Sequence, residues 1–283
     1  MPLPTISVLG CGWLGLPLAE RLLADGYTVK GSTTTPEKVP LLANKGIVPY
    51  QLKLMPQPDG DLTDFLRTDI LLIDIPPRVS VQGDGFHSVQ VQAISDAVQR
   101  SSVQWVIYIS STSVYPEYSR VVTEEDVTGP GESADANSSS QLVVAEQIIL
   151  RLAPTRQTTV LRCAGLMGYD RIPGKYVAGR TVDSGLLPVN YVHRDDAVGL
   201  ITAVLATGLQ GTFNIVAPLH PTREAIYRKS CADFGYALPS FVDPLEALPF
   251  KVVSGKKLAG QLDYLFRYPD PLIFRYSSPA ASV

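Results

Sequence analysis

Apolar residues fall along this chain in blocks of two alternating kinds. The short, nearly uninterrupted runs Ile6–Leu9, Ile70–Ile75, Trp105–Ile109 and Thr159–Arg162 read as buried strands, and Thr28–Thr33 reads as a further one. Between them, apolar residues recur at helical spacing over Leu14–Ala24, Val89–Val98 and Gln141–Leu152. Pro17 is early enough to sit in a first turn, Gly26 is suited to stop that helix, and Ser140 is placed to cap the third. Strand and helix alternate, which predicts βαβ units. The expected fold class is α/β, a doubly wound parallel sheet with helices on both faces.

Two stretches break the rhythm. Glu117–Ser139 is acidic, polar and Gly/Ser-rich, and reads as a loop. Gly165–Gly185 has no clear period, although Ala197–Leu205 is again helical and Phe213–Val216 a strand. Thr222–Val283 mixes short helices with Pro-rich turns. The expected division is therefore a sheet domain over residues 1–164 and a smaller C-terminal lobe over 165–283, with the strand near 213–216 able to return to the sheet. The lobe is the expected receiver of a small molecule, because ligands bind beyond the carboxyl ends of parallel strands.

Composition narrows the function classes. At 283 residues and 45% hydrophobic, the chain can build a full core, and a net charge of −3 offers no basic face to nucleic acid. No run approaches the roughly 20 apolar residues of a membrane helix, and the N-terminus lacks the basic segment of a signal peptide. Cys11, Cys163 and Cys231 are scattered, as are His87, His193 and His220, so no metal spacing arises and a reducing, cytoplasmic setting is expected.

The most informative motif is Gly10-Cys11-Gly12-Trp13-Leu14-Gly15, a GxGxxG between the first strand and the first helix. There it predicts a Rossmann-type phosphate loop. Gly10 allows the tight turn, Gly12 lets backbone approach a pyrophosphate, and Gly15 lets the helix pack closely. Trp13 and Leu14 complete the loop, and the helix N-terminus offers N–H groups to the anion. Some 20 residues on, an NAD site carries Asp or Glu for the ribose 2′-OH. This chain reads Lys30-Gly31-Ser32-Thr33-Thr34-Thr35 instead, and its first acid is Glu37. Hydroxyls of Ser32, Thr33 and Thr34, with Lys38 or Lys30, suit a 2′-phosphate, so NADP is expected in preference to NAD. Ile75, Pro76 and Pro77 are expected beside adenosine or ribose, and Ser110 and Ser111 beside nicotinamide. Cys11 lies at a helix N-terminus, where a thiol pKa can fall; the plainer reading is a small residue that fits the turn. Asp195 and Asp196 are placed to cap the helix from Ala197.

Val106–Tyr115 reads VIYISSTSVY. With the glycine loop, it resembles the extended short-chain dehydrogenase/reductase superfamily, and within it the atypical NAD-dependent epimerase/dehydratase-like group. Leu161–Gly168, Asn190–Asp196, Glu146-Gln147 and Tyr268-Pro269-Asp270 fit in order and spacing, so the resemblance spans nearly the whole chain. It implies a Rossmann domain with a small substrate lobe, and a catalytic Ser or Thr, Tyr and Lys. The Tyr hydroxyl exchanges a proton with a substrate oxygen, the Lys four residues later lowers its pKa, and a hydride passes to or from nicotinamide. The family serine maps to Ser111. Relatives often dimerise through the helices that here are Val89–Val98 and Gln141–Leu152, so a homodimer is a further expectation.

The Tyr and Lys do not follow. Counting back from Glu146-Gln147 puts Leu142 at the Lys and Ser138 at the Tyr, and an offset of one puts Gln141 and Asn137 there. None of the 13 tyrosines has a lysine four residues later, and no lysine occurs between Lys53 and Lys175. Without a neighbouring cation a tyrosine, with its ordinary pKa near 10, is a poor base. Tyr115 is a candidate substitute, with Lys175 further along, and Tyr169, Arg171, Asn190 and His193 are candidates on the substrate side. The sequence therefore predicts an NAD(P)-binding protein with a degenerate active site. It is a reductase or epimerase on a small sugar-like or carbonyl substrate, or else a non-catalytic NADP(H)-binding redox-sensing or regulatory module.

Overall fold

The computed structural model describes residues 3–54, 58–77, 85–127 and 138–276, with backbone alone over 138–140. Its centre is a seven-stranded parallel sheet of β1 (Thr5–Leu9), β2 (Thr28–Thr33), β3 (Val48–Gln51), β4 (Ile70–Ile73), β5 (Trp105–Ser111), β6 (Gln157–Cys163) and β7 (Gly211–Ile215), in the order β7-β6-β5-β4-β1-β2-β3. Ile6 pairs with Val29 on one side and Ile70 on the other, so β1 is flanked by β2 and β4. Strand order reverses there, and a reversal opens a crevice at the carboxyl ends of the strands.

The apolar pattern explains these elements. Every residue of β4 is buried, as a strand covered on both faces requires. Helix α1 (Gly15–Ala24) buries Leu18, Ala19 and Leu22. Helices α2 (Phe86–Gln99) and α3 (Ser138–Leu150) bring Val91, Ile94 and Val98, and Ala145, Ile148 and Ile149, into one cluster with Leu71, Ile73, Val106 and Tyr108. Each fully buried aliphatic side chain contributes about 1.5–3 kcal/mol. Strand β3 escapes the sequence reading because it lies at the sheet edge, with Val48 and Gln51 exposed and Pro49 interrupting its donors. Helix α2 begins at Phe86, three residues before the expected Val89, after Gly85 at φ 90°. Helix α3 begins at Ser138, so Ser140 lies inside the helix rather than at its cap.

Two compact units divide the chain. One comprises Met1–Val114, Val127–Arg162 and Ile201–Phe213; the other comprises Tyr115–Asp126, Cys163–Leu200 and Asn214–Val283. Within the second, short strands pair in parallel: Arg120–Val122 with Lys251–Val253, Gly165–Met167 with Tyr191–His193, and Thr181–Val182 with Ser240–Phe241. The stretch read as a plain loop after Glu117 thus holds a strand, too short to show a period. Residues 128–137 of that stretch lie outside the described ones. Helix α4 (Arg194–Thr207) starts at Arg194, so Asp195 and Asp196 fall inside its first turn rather than ahead of it. Asp196, fully buried, accepts instead from the backbone N–H groups of Arg267 and Tyr268 and from the Tyr264 hydroxyl. Among the described residues no helix is long and apolar enough to cross a membrane.

His87, in the first turn of α2, is buried with its Nε2 2.7 Å from the Tyr108 hydroxyl. Burial pulls its pKa down to about 4. Its folded pKa lies below the unfolded value near 6.5, so the unfolded chain binds the proton first and stability falls as pH drops from 6.5 towards 4. The expected loss by pH 4 reaches about 3 kcal/mol. Denaturant titrations of the protein and of His87→Gln across that range check it; equal pH slopes for the two would refute the assignment.

Candidate functional site: the loop between the first strand and the first helix

The turn from β1 to α1 is closed by its own backbone and by Ser32 of β2. Gly12 N donates to Gly10 O at 2.8 Å, Cys11 N to Ser32 O at 2.8 Å, and Gly10 N to the Ser32 hydroxyl at 2.9 Å. The three glycines differ in what a side chain would meet. At Gly10, with φ 108°, a Cβ would lie 2.2 Å from Asp74 O; at Gly15 it would lie 2.1 Å from Gly10 O; at Gly12 nothing lies within 4 Å. Two glycines are therefore required by the protein's own packing, whereas the third faces open space. Helix α1 begins beside it with Leu14 as N-cap, a residue whose side chain makes no capping hydrogen bond, and no acid in its first turn. Leu16 N donates to Gly12 O at 3.1 Å and Pro17 has no N–H, which leaves Gly15 N as a first-turn donor that this end of α1 can offer an anion.

A cavity of about 480 Å3 extends from the loop. Of the residues singled out in the sequence, Gly10, Gly12, Ser32, Thr33, Thr34, Lys38, Ile75 and Pro76 line it together. Leu14 and Gly15 are buried behind the loop, and Trp13 and Pro77 are half-buried outside the lining. Leu52, Lys53, Leu54, Asp74 and Gln90 also line it. Asp74 could have been read from its place just past a strand end. Gln90 stands on α2 and reaches the cavity only through the fold; its Nε2 donates to Leu54 O at 2.5 Å.

Two assignments are corrected by the geometry, and a third residue keeps its plainer reading. Ser32 is buried and its hydroxyl accepts from Gly10 N, so it braces the loop, while Thr34, Thr35 and Lys38 are the exposed members of that wall. Lys30 points elsewhere: its Nζ donates to the carbonyls of Asp64 and Arg67 at 2.5 and 3.1 Å. Cys11 is not an activated thiol, since burial and then Asp74 push its pKa up to about 12.

At the end of β5, Ser110 is buried and donates to Glu146 Oε1 at 2.5 Å, which commits its hydroxyl to the core rather than to a ligand. Ser111 Oγ accepts from Ser113 N at 3.1 Å and keeps its own proton to donate. Leu142 and Gln141, the two positions at which the count places a family lysine, are both buried in α3. Glu146 is also held by Arg162, with Nη2 to Oε2 at 2.7 Å and both side chains almost fully buried.

In the second unit, Tyr115 is buried and its hydroxyl donates to Asn214 Oδ1 at 2.7 Å, a bracing contact. Asn190 is likewise engaged on both ends of its amide, with Lys251 O and Val253 N. His193 is buried between Asp195 N, on Nδ1, and Arg275 O, on Nε2, and burial lowers its pKa. Tyr169 sits at φ 54°, donates to Asp195 at 2.9 Å, and lies 3.8 Å under the Arg194 guanidinium. Arg171 closes the turn through mutual backbone bonds with Gly168.

No family model matches the chain. It is 34% identical over 272 residues to protein YeeZ of Escherichia coli K12, covering 95% of this chain and 97% of that one. Its fold superposes on MoeE5 in complex with UDP-glucose and NAD with a TM-score of 0.76 at 16% identity, over 95% and 96% of the two chains. It superposes on UDP-N-acetylglucosamine 4-epimerase from Bacillus cereus with a TM-score of 0.73 at 17% identity, over 94% and 95%. At such identities the structural likenesses establish a shared fold.

Proposed function

This chain belongs to the family of Escherichia coli protein YeeZ and has the fold of the extended short-chain dehydrogenase/reductases, epimerase/dehydratase-like group, and from that premise we propose that it binds NADP(H), and NAD(H) less well, at Gly10–Gly15 for hydride transfer on a small carbonyl or sugar-like substrate. The observation that carries the reading is the pairing of the α1 N-terminus, where Leu14 offers no capping side chain, with open space at Gly12, which together supply donors and the room a diphosphate needs. The NAD in the MoeE5 complex supports the cofactor class. A nicotinamide dinucleotide would supply the hydride or accept it. The chain's own part is to hold and orient. The first-turn N–H of Gly15 would face the diphosphate, Thr34, Thr35 and Lys38 a 2′-phosphate, and Leu52, Leu54 and Ile75 the base. Ser111 would hydrogen-bond a substrate oxygen through its hydroxyl.

The buried Leu142 favours a second reading, a module that holds NADP(H) without turnover, because no ammonium stands where the family lysine would. Calorimetry with NADPH, followed by absorbance at 340 nm over a panel of carbonyl compounds, separates the two. Turnover that Ser111→Ala abolishes establishes the enzyme; tight binding with no turnover establishes the module. If neither NADPH nor NADH binds at millimolar concentration, both readings fall.

Lys38→Gln tests the cofactor preference. Loss of a part-solvated charge pair is expected to weaken NADPH about five- to tenfold at low salt and to leave NADH unchanged. Equal effects on both would place the 2′-phosphate elsewhere.

A further inference from the structure

The loop cavity contains a carboxylate, which a seat for a doubly charged diphosphate has no evident use for. Asp74 follows directly on β4, and its N–H donates to Leu9 O at 2.9 Å, so the β1–β4 ladder fixes its position. Its carbonyl lies under Gly10, and its Oδ2 lies 3.0 Å from the Cβ position of Gly15, the first residue of α1. The side chain is thus set against the first turn of the helix, in the cavity that Gly10 and Gly12 also line. The charged and titratable groups sharing that cavity are Cys11 on the loop, Lys38 on the turn after β2 and Lys53 beyond β3. Cys11 stays a neutral thiol at physiological pH.

A negative side chain at a helix N-terminus suits the ligand-free protein, because it complements the partial positive charge there. The same charge opposes a diphosphate at that end, and like charges in a partly enclosed cavity repel more strongly than in water. We infer that Asp74 is a negative determinant of dinucleotide affinity, which makes the dinucleotide a co-substrate that exchanges with solution rather than a permanently held group. The inference rests on the dinucleotide reading above and deepens it. Exchange suits a net reduction or oxidation. In the reducing direction, a carbonyl carbon gains the hydride of the reduced dinucleotide, its oxygen gains a proton from solvent, and the oxidised dinucleotide leaves. It does not suit an epimerisation, which returns its dinucleotide to the starting state on the same protein molecule.

The test compares the protein with Asp74→Asn and Asp74→Ser, each checked for fold by circular dichroism. NADPH and NADH are titrated by fluorescence, and their dissociation is followed by stopped-flow displacement. Both variants are expected to bind each nucleotide about tenfold more tightly and to release it more slowly. Measurable binding by the unaltered protein, with equal or weaker binding by both folded variants, overturns the inference and leaves the dinucleotide reading standing. If none of the three proteins binds either nucleotide, the dinucleotide reading fails and takes the inference with it.

Discussion

Replacing Gly12 by valine is expected to abolish dinucleotide binding, by more than a hundredfold in Kd, while leaving the fold and melting temperature close to those of the unaltered protein. The expectation follows from the contrast among the three loop glycines. A Cβ at Gly12 meets nothing within 4 Å, so the protein alone can accommodate it, and two further methyl groups would then fill the space a diphosphate requires. At Gly10 and Gly15 the added carbon would collide with backbone carbonyls at 2.2 and 2.1 Å, and at Gly10 the left-handed φ adds strain. Valine at either is expected to unfold or severely destabilise the sheet unit. Calorimetry with NADPH and thermal melts on the three variants check the pattern. A folded Gly12→Val protein that still binds NADPH with unchanged affinity would show that the loop holds no diphosphate.

Arg162→Met is expected to produce the largest loss of stability, about 3–5 kcal/mol, because it strands the Glu146 carboxylate in the core with the Ser110 hydroxyl as its remaining strong donor. For a protein of this size that is a fall in melting temperature of about 10 °C. Removing both charges, with Arg162→Met and Glu146→Leu together, is expected to recover most of the loss, since the cost lies in the uncompensated charge rather than in the missing pair. Urea titrations of the single and double variants decide it. A single variant within 1 kcal/mol of the parent would mean that Arg162 does not stabilise the buried Glu146 side chain.

Much of the fold could be read from the sequence, because its central strands are buried on both faces and so appear as unbroken apolar runs. Thr28–Thr33 and Ile70–Ile73 fall at or close to the positions the pattern indicates. Elements without such a signature were missed: β3 at the exposed edge, and the two- and three-residue strands of the second unit, which are shorter than any period. At the site, residue types were legible but their use was not. Ser32 and Lys30 are the hydroxyl and cation that a phosphate would call for, yet one braces the loop and the other caps a turn near Asp64. Only the tertiary fold decides which partner a donor meets. Tyr115 and Asn190 show the same limit: their polar atoms are occupied by backbone and side chains more than 60 residues away in sequence.

The seventh strand of the sheet comes late. Gly211–Ile215 lies beside Gln157–Cys163, and almost 50 residues of chain separate the two. During synthesis, six strands can be in place while β6 still presents a bare row of donors and acceptors, the condition under which one chain pairs with another. A fragment ending near residue 164 would keep that row open for good. Such a truncation leaves β6, a strand apolar enough to be buried along nearly its whole length, as an open edge, and is therefore a route to aggregates rather than to a minimal nucleotide-binding domain.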